Sequence, residues 1–191
     1  DVALELSRQE KRGILLVLSG PSAVGKDTVV RQMLEKYPQM VKMVTTNSRK
    51  PRDGEREGFD YYFVSDSEFE KLIAEESFLE WVEYRGHYRG AQKKHVEEAL
   101  SSGKDVIWHM DVKGVKNIKK KIRSITPYSV FVFLAVKDLE TLEKRILKRA
   151  TETSNEVTWS MDVAVWEQRQ YPDYDYVISN EDGSLDKTVE T

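Results

Sequence analysis

The chain has 191 residues, 39% of them hydrophobic and 33% charged, with 30 basic against 33 acidic side chains and a formal net charge of −3 at pH 7. That length suits one domain with room for a small inserted lobe, and the mixed, slightly acidic charge speaks against nucleic acid as a partner, since such binders are normally basic on one face. The lack of cysteine excludes disulfides and thiolate chemistry, no apolar run is long enough to cross a bilayer, and no secretory signal is visible, so no membrane partner and a cytoplasmic location are the expectations.

In chain order, residues 14–18 (Ile-Leu-Leu-Val-Leu) predict a buried central strand. Residues 20–28 follow as Gly-Pro-Ser-Ala-Val-Gly-Lys-Asp-Thr, a Gly-x-x-x-x-Gly-Lys opening set between that strand and a helix predicted over 28–36. In this setting the pattern specifies a phosphate cradle. Gly20 and Gly25 let the backbone fold around an anion, so that successive N–H groups from Ser22, Ala23 and Val24 into Lys26, Asp27 and Thr28 turn towards phosphate oxygens. Lys26 adds a point charge for the outer phosphates. Asp27 stands where many P-loops carry the Ser or Thr that helps to hold Mg2+, which leaves the Thr28 hydroxyl as the metal candidate. A ligand-free glycine turn is the plainer reading, and the flanking strand and helix argue against it.

Residues 40–46 predict a second strand, 47–58 a polar loop without period, and 61–64 a short strand. Ser65 and Glu68 read as a capping box ahead of Phe69, Leu72 and Ile73 at helical spacing. Residues 78–84 and 87–89 are expected to pair across Arg85-Gly86, and a helix over 92–101 to end at Gly103. Residues 105–112 and 130–136 predict further buried strands, each followed by a helix, over 113–123 and 138–149. A polar lid segment at 151–155, a helix to about 170 and a strand over 174–179 complete the order. Strands alternating with helices predict an α/β fold, a P-loop NTPase-type parallel sheet flanked by helices. The strand- and tyrosine-dense middle breaks that rhythm. The expected organisation is therefore a core of residues 1–46 and 91–191, with a lid at about 150–160, and an inserted acceptor-binding lobe of mixed α/β structure at 47–90.

A P-loop binds one nucleotide and says nothing about what receives a phosphoryl group. Arg49 and Arg52, three apart around Pro51 on the polar loop, can converge on a single phosphate because guanidinium forks match its oxygens, and Tyr61 can add a hydroxyl donor. Arg145 and Arg149 lie four apart on one face of a predicted helix beside a stripe of Leu139, Leu142 and Ile146 expected to be buried. Next to a P-loop, such a pair reads as a clamp on a transferring phosphoryl group, where charge spreads over the equatorial oxygens. His87, His95 and His109 lack companions at metal-ligand spacing, and the tryptophans, Trp159 among them, read as packing residues.

Taken together, Gly20-Pro-Ser-x-x-Gly-Lys26, Arg49-Lys-Pro-Arg52-Asp-Gly-Glu55 with Gly58 and Asp60-Tyr61, Phe78-Leu-Glu-Trp81, Asp111-Val-Lys-Gly114, Arg145-Ile-Leu-Lys-Arg149 and Asp175-Tyr-Val-Ile-Ser-Asn180 occur in order. Over nearly its whole length the chain resembles the guanylate kinase family. The resemblance implies γ-phosphoryl transfer from ATP to GMP with Mg2+ by a monomer or homodimer. It implies that Arg49, Arg52 and Tyr61 hold the acceptor phosphate, that Thr45, Glu80 and Asp111 read the guanine, that Glu55 lies near the metal and reacting phosphates, and that Asn180 belongs to the ATP site. A carboxylate at Glu80 suits guanine, because it accepts two parallel hydrogen bonds from N1–H and the 2-amino group; a site built for such a pair rejects an analogue lacking it by about 10⁴–10⁵. Helix capping is the plainer role for Asp111, and a solvent-facing strand position for Glu80.

The sequence departs from the family at Asp27, at His109 in place of the first aspartate of Asp-x-Asp, at Arg89 and Ala91 in place of a tyrosine and a small hydroxyl residue, and at Ser160 in place of a third lid arginine. Arg89 retains the capacity to bind phosphate. Two rival readings follow from these departures: a phosphopeptide-binding module that has lost transfer, and a kinase on another phosphorylated acceptor, since Gly-Lys-Asp before a hydroxyl residue also resembles ribose-bisphosphate kinases.

Overall fold

The computed structural model describes residues 12–84, 86–149 and 154–191, with the side chains of 84, 148–149 and 154–157 outside that description. Its framework is a five-stranded parallel sheet in the order β2 (Met40–Lys42), β7 (Asp105–His109), β1 (Leu15–Ser19), β8 (Ser129–Ala135), β9 (Tyr176–Ser179). The three inner strands are apolar between their ends because helices cover both faces. Leu15 and Val17 of β1 join Val106, Trp108 and Phe131 on one face, under α3 (Lys93–Ser101) and α4 (Val112–Ile125). Leu18, Ile107, Val132 and Leu134 line the other, against Val29 and Val30 of α1 (Lys26–Lys36), Leu142 and Ile146 of α5 (Leu139–Arg149), and Ala164 of α6 (Ser154–Gln168).

A second, four-stranded sheet has the order β4 (Tyr61–Phe63), β3 (Thr45–Asn47), β6 (His87–Gln92), β5 (Phe78–Tyr84). The pairings of β6 with β3 and β5 are antiparallel, and β3 with β4 is parallel. Helix α2 (Asp66–Ala74) packs on it through Phe69, fully buried and stacked on Phe78 at 4.3 Å. The Ser65–Glu68 capping box is formed, with both reciprocal bonds present.

Several expected boundaries move. The strand expected at 40–46 divides: Met40–Lys42 pairs with β7, whereas Thr45–Asn47 belongs to the second sheet, leaving only Met43 and Val44 between the two sheets. The second sheet thus extends two residues beyond each end of the 47–90 segment. The strand expected at 105–112 stops at His109 because Asp111 caps α4, accepting the Gly114 N–H. Leu139, at the first residue of α5, is 42% exposed and leaves the stripe to Leu142 and Ile146. Trp159 is 69% exposed, not core. A C-terminal helix, α7 (Leu185–Glu190), was not foreseen. Of the lid segment, residues 151–153 lie outside the described residues, and α6 opens at Ser154. Among the described residues, no helix is long and apolar enough to cross a membrane.

Candidate active site

The P-loop leaves the carboxyl end of β1 and closes on the first turn of α1. Gly20 is there for two reasons: its φ is +145°, and a Cβ would sit 2.3 Å from the Leu134 carbonyl oxygen of the neighbouring strand. Gly25, at φ +101°, is the N-cap residue of α1. Ala23 takes φ +62°, a left-handed conformation that costs a non-glycine residue about 1 kcal/mol or more and is retained where surroundings impose it. The Lys26 ammonium curls back over the loop, donating to the Gly20 and Pro21 carbonyls at 2.8 and 2.9 Å.

The back of the loop is pinned through the Val24 carbonyl, which accepts from Asn180 Nδ2 at 2.8 Å and from Arg145 at 2.9 Å. Thr188 steadies the Asn180 amide, and Arg145 also bonds the Asn180 carbonyl and pairs with Asp182 at 2.7 Å. Ala23, Gly25, Thr28, Arg145 and Asn180 line one cavity of about 460 Å³ beside the loop. The Arg149 side chain lies outside the described residues.

Glu167 is a further loop contact that the sequence reading missed. Its carboxylate, 7% exposed on α6, accepts the Ser22 N–H at 2.8 Å. Burial pushes this carboxyl above its ordinary value, and the Ser22 bond and nearby Lys26 pull it back. The available signal was its position three residues after Ala164, on the buried face of the helix.

On the second sheet and the loop before β4, Arg49, Arg52, Tyr61 and Arg89 share a cavity of about 570 Å³. Glu55 grips Arg49 with two parallel bonds of 2.6 Å and also accepts the Arg52 N–H at 2.8 Å. The Arg49 guanidinium, and secondarily the Arg52 amide, hold the Glu55 carboxyl down at about 2. The Tyr61 ring has the Arg49 guanidinium at 5.2 Å and that of Arg89 at 5.3 Å.

Arg89 and Val82 also line a second cavity, of about 330 Å³, with Thr45, Glu80, His109 and Asp111. Arg89 Nε donates to Thr45 Oγ1 at 3.2 Å. Burial pushes the Glu80 carboxyl up, Asp111 adds to that, and Arg89 opposes it. The structure therefore brings together a cation-lined cavity and a carboxylate-bearing one, joined at Arg89. Ala91 is fully buried and presents no hydrogen-bonding group.

The two halves meet where Asp27, on the first turn of α1, approaches His109 at the end of β7: Oδ1 and Nε2 are 3.2 Å apart. Burial lowers the proton affinity of His109, Asp27 opposes this, and Lys42, Lys26 and Arg89 reinforce it. Among the described residues, no group of three or more His, Cys, Asp or Glu is arranged to hold a metal by itself. A separate cavity of about 410 Å³, lined by Lys42, Tyr62, His95 and Glu98 among others, shares no residue with the P-loop or the arginine-lined pocket.

A family model described as guanylate kinase matches residues 12–191. The chain is 42% identical over 172 residues to a guanylate kinase of Latilactobacillus sakei, covering 90% of this chain and 83% of the relative. It is 36% identical over 181 residues to one from Caldanaerobacter subterraneus, covering 95% and 85%. Among solved structures it is similar to guanylate kinase from Anaplasma phagocytophilum, at 29% identity and a TM-score of 0.63, covering 94% of this chain and 82% of that one.

Proposed function

The chain belongs to the guanylate kinase family, and from that premise we propose that it transfers the γ-phosphoryl group of ATP to GMP. A phosphate oxygen of GMP forms a bond to the γ-phosphorus, the bond from that phosphorus to the β–γ bridging oxygen breaks, and ADP leaves with the electron pair. Neither a phosphopeptide-binding module nor another acceptor is favoured, since the named relatives are guanylate kinases.

The observation that carries this reading is the pair of cavities joined at Arg89. Arg49, Arg52, Tyr61 and Arg89 supply the charge and donors for a monophosphate, and Glu80 with Thr45 supplies acceptors next door for the base. Glu55 orients Arg49 by its fork and thereby pre-organises the phosphate site. Asp111, with one oxygen committed to the Gly114 N–H, contributes through the other and by its charge on Glu80.

On the donor side, Lys26 and the loop amides other than that of Ser22, which Glu167 holds, receive the ATP phosphates, and the cavity at Thr28, Arg145 and Asn180 takes the rest of the nucleotide. Arg145 bears on the transferring group after letting go of Asp182, an 82% exposed partner whose pairing is worth little. Arg149 adds a second cation to the clamp. The segment 47–90 acts as the acceptor lobe, carried by the second sheet. The residues present fit a divalent cation arriving with ATP: Thr28 and the exposed Asp27 offer oxygen donors at the loop–helix junction, the kind that Mg2+ takes alongside phosphate. Such a cation supplies charge neutralisation between the outer phosphates.

Coupled measurement of ADP release with ATP and each of GMP, dGMP, AMP, CMP and UMP tests the assignment. GMP should exceed AMP in kcat/KM by about 10⁴ or more, because adenine leaves the Glu80 carboxylate without its donor pair. Equal turnover with AMP and GMP contradicts it.

A further inference from the structure

This inference rests on the phosphotransferase reading and concerns the ion that accompanies ATP. P-loop NTPases hold that ion with the hydroxyl residue after the P-loop lysine and with an aspartate from a nearby strand. The first of these places is filled here by Asp27. The strand beside β1 on one side is β7, which ends at His109, and His109 is in register with Leu18. Two substitutions that look unrelated in the sequence thus converge on one point, and their polar atoms lie 3.2 Å apart. Ligands at adjacent corners of an octahedron, each about 2.1 Å from the metal, lie about 3.0 Å from one another. The pair therefore already has the spacing of neighbours in one coordination sphere.

A hydroxyl and a carboxylate have been replaced by a carboxylate and an imidazole. We propose that Asp27 and His109, in place of the Thr28 hydroxyl, are the two protein ligands of the ATP-borne cation, and that the imidazole nitrogen turns this site towards borderline divalent cations such as Co2+ or Ni2+ at the expense of Mg2+. Mg2+ takes oxygen ligands in near-ideal octahedra and dehydrates reluctantly, whereas imidazole suits the later transition ions. Ligation through Nε2 requires a neutral ring with its proton on Nδ1. Two protein ligands suffice because nucleotide phosphates and water complete such spheres. The competing description is a hydrogen bond from His109 to Asp27 with the cation held elsewhere.

Pulsed EPR of the full chain with Mn2+ and ADP distinguishes the two. Direct ligation produces nitrogen modulation from a bound imidazole. Labelling histidine with ¹⁵N should convert it to the ¹⁵N pattern, which an adenine nitrogen cannot do, so the unsubstituted protein decides the matter. In support, H109D should lower the ratio of Co2+ to Mg2+ affinity, measured with ADP, by on the order of tenfold or more. Nucleotide-bound Mn2+ without histidine modulation overturns the proposal and leaves the phosphotransferase reading standing. Failure of Mn2+ and ADP to bind at all overturns both.

Discussion

At the scale of single residues, selectivity and stability pull against each other at Glu80. Its carboxyl is raised by burial and by Asp111, and lowered by Arg89. A carboxyl whose folded pKa is raised contributes stability that is complete below its ordinary value and is lost as pH rises through the folded one. On the proposed reading, in which an ionised Glu80 accepts from guanine, that ionisation is a cost to the free protein at neutral pH. Glu80→Gln should raise Tm at pH 7 while lowering kcat/KM for GMP by about 10²-fold, the worth of a hydrogen bond to a charged group; thermal melts and steady-state kinetics check the two arms. An unchanged GMP kcat/KM would show that the base does not rest on this side chain. The gathering of Arg49 and Arg52 was legible in the sequence because short spacing on one loop leaves few other arrangements, and Tyr61 opens the strand to which that loop leads. The contact of Asp27 with His109 was not, because it depends on which strand lies beside β1, and no local pattern encodes strand order.

At the scale of elements, the α6–loop contact ties the helix after the lid segment to the phosphate cradle through the bond from Ser22 N–H to Glu167. Glu167→Ala removes the acceptor for that amide and frees the loop, and should weaken ATP binding by about 1 kcal/mol, roughly fivefold. Glu167→Gln keeps a carbonyl oxygen in place and should bind ATP close to normally; calorimetric titration measures both. Equal affinities for the Ala variant and the parent would reduce the contact to packing. Element types were readable where a local rule governs them, as in the Ser65–Glu68 capping box or the apolar strands between turn residues. Boundaries failed where tertiary partners decide. Residues 40–46 look like one strand, yet they serve two sheets, and Leu139 keeps its helical spacing but lies at an end where nothing buries it.

At the scale of the molecule, two anion-binding surfaces hang from separate sheets linked on one side by Met43 and Val44. His109, at the end of β7 in the first sheet, lies beside Asp27 and lines one cavity with Thr45, Glu80 and Arg89 of the second sheet, so on the proposed reading closure of that sheet over both nucleotides can exclude water from the transferring group. The parallel sheet was legible from the alternation of strands and helices, and the second sheet from the break in that alternation. How the two are angled was not, because a two-residue connection carries no sequence signature of its own. Phosphorus NMR of the products formed from equal amounts of ATP and GMP tests the central claim most directly. GDP and ADP should appear in equal amounts with little inorganic phosphate; ADP accompanied by an equivalent of inorganic phosphate, with GMP left intact, would contradict the account.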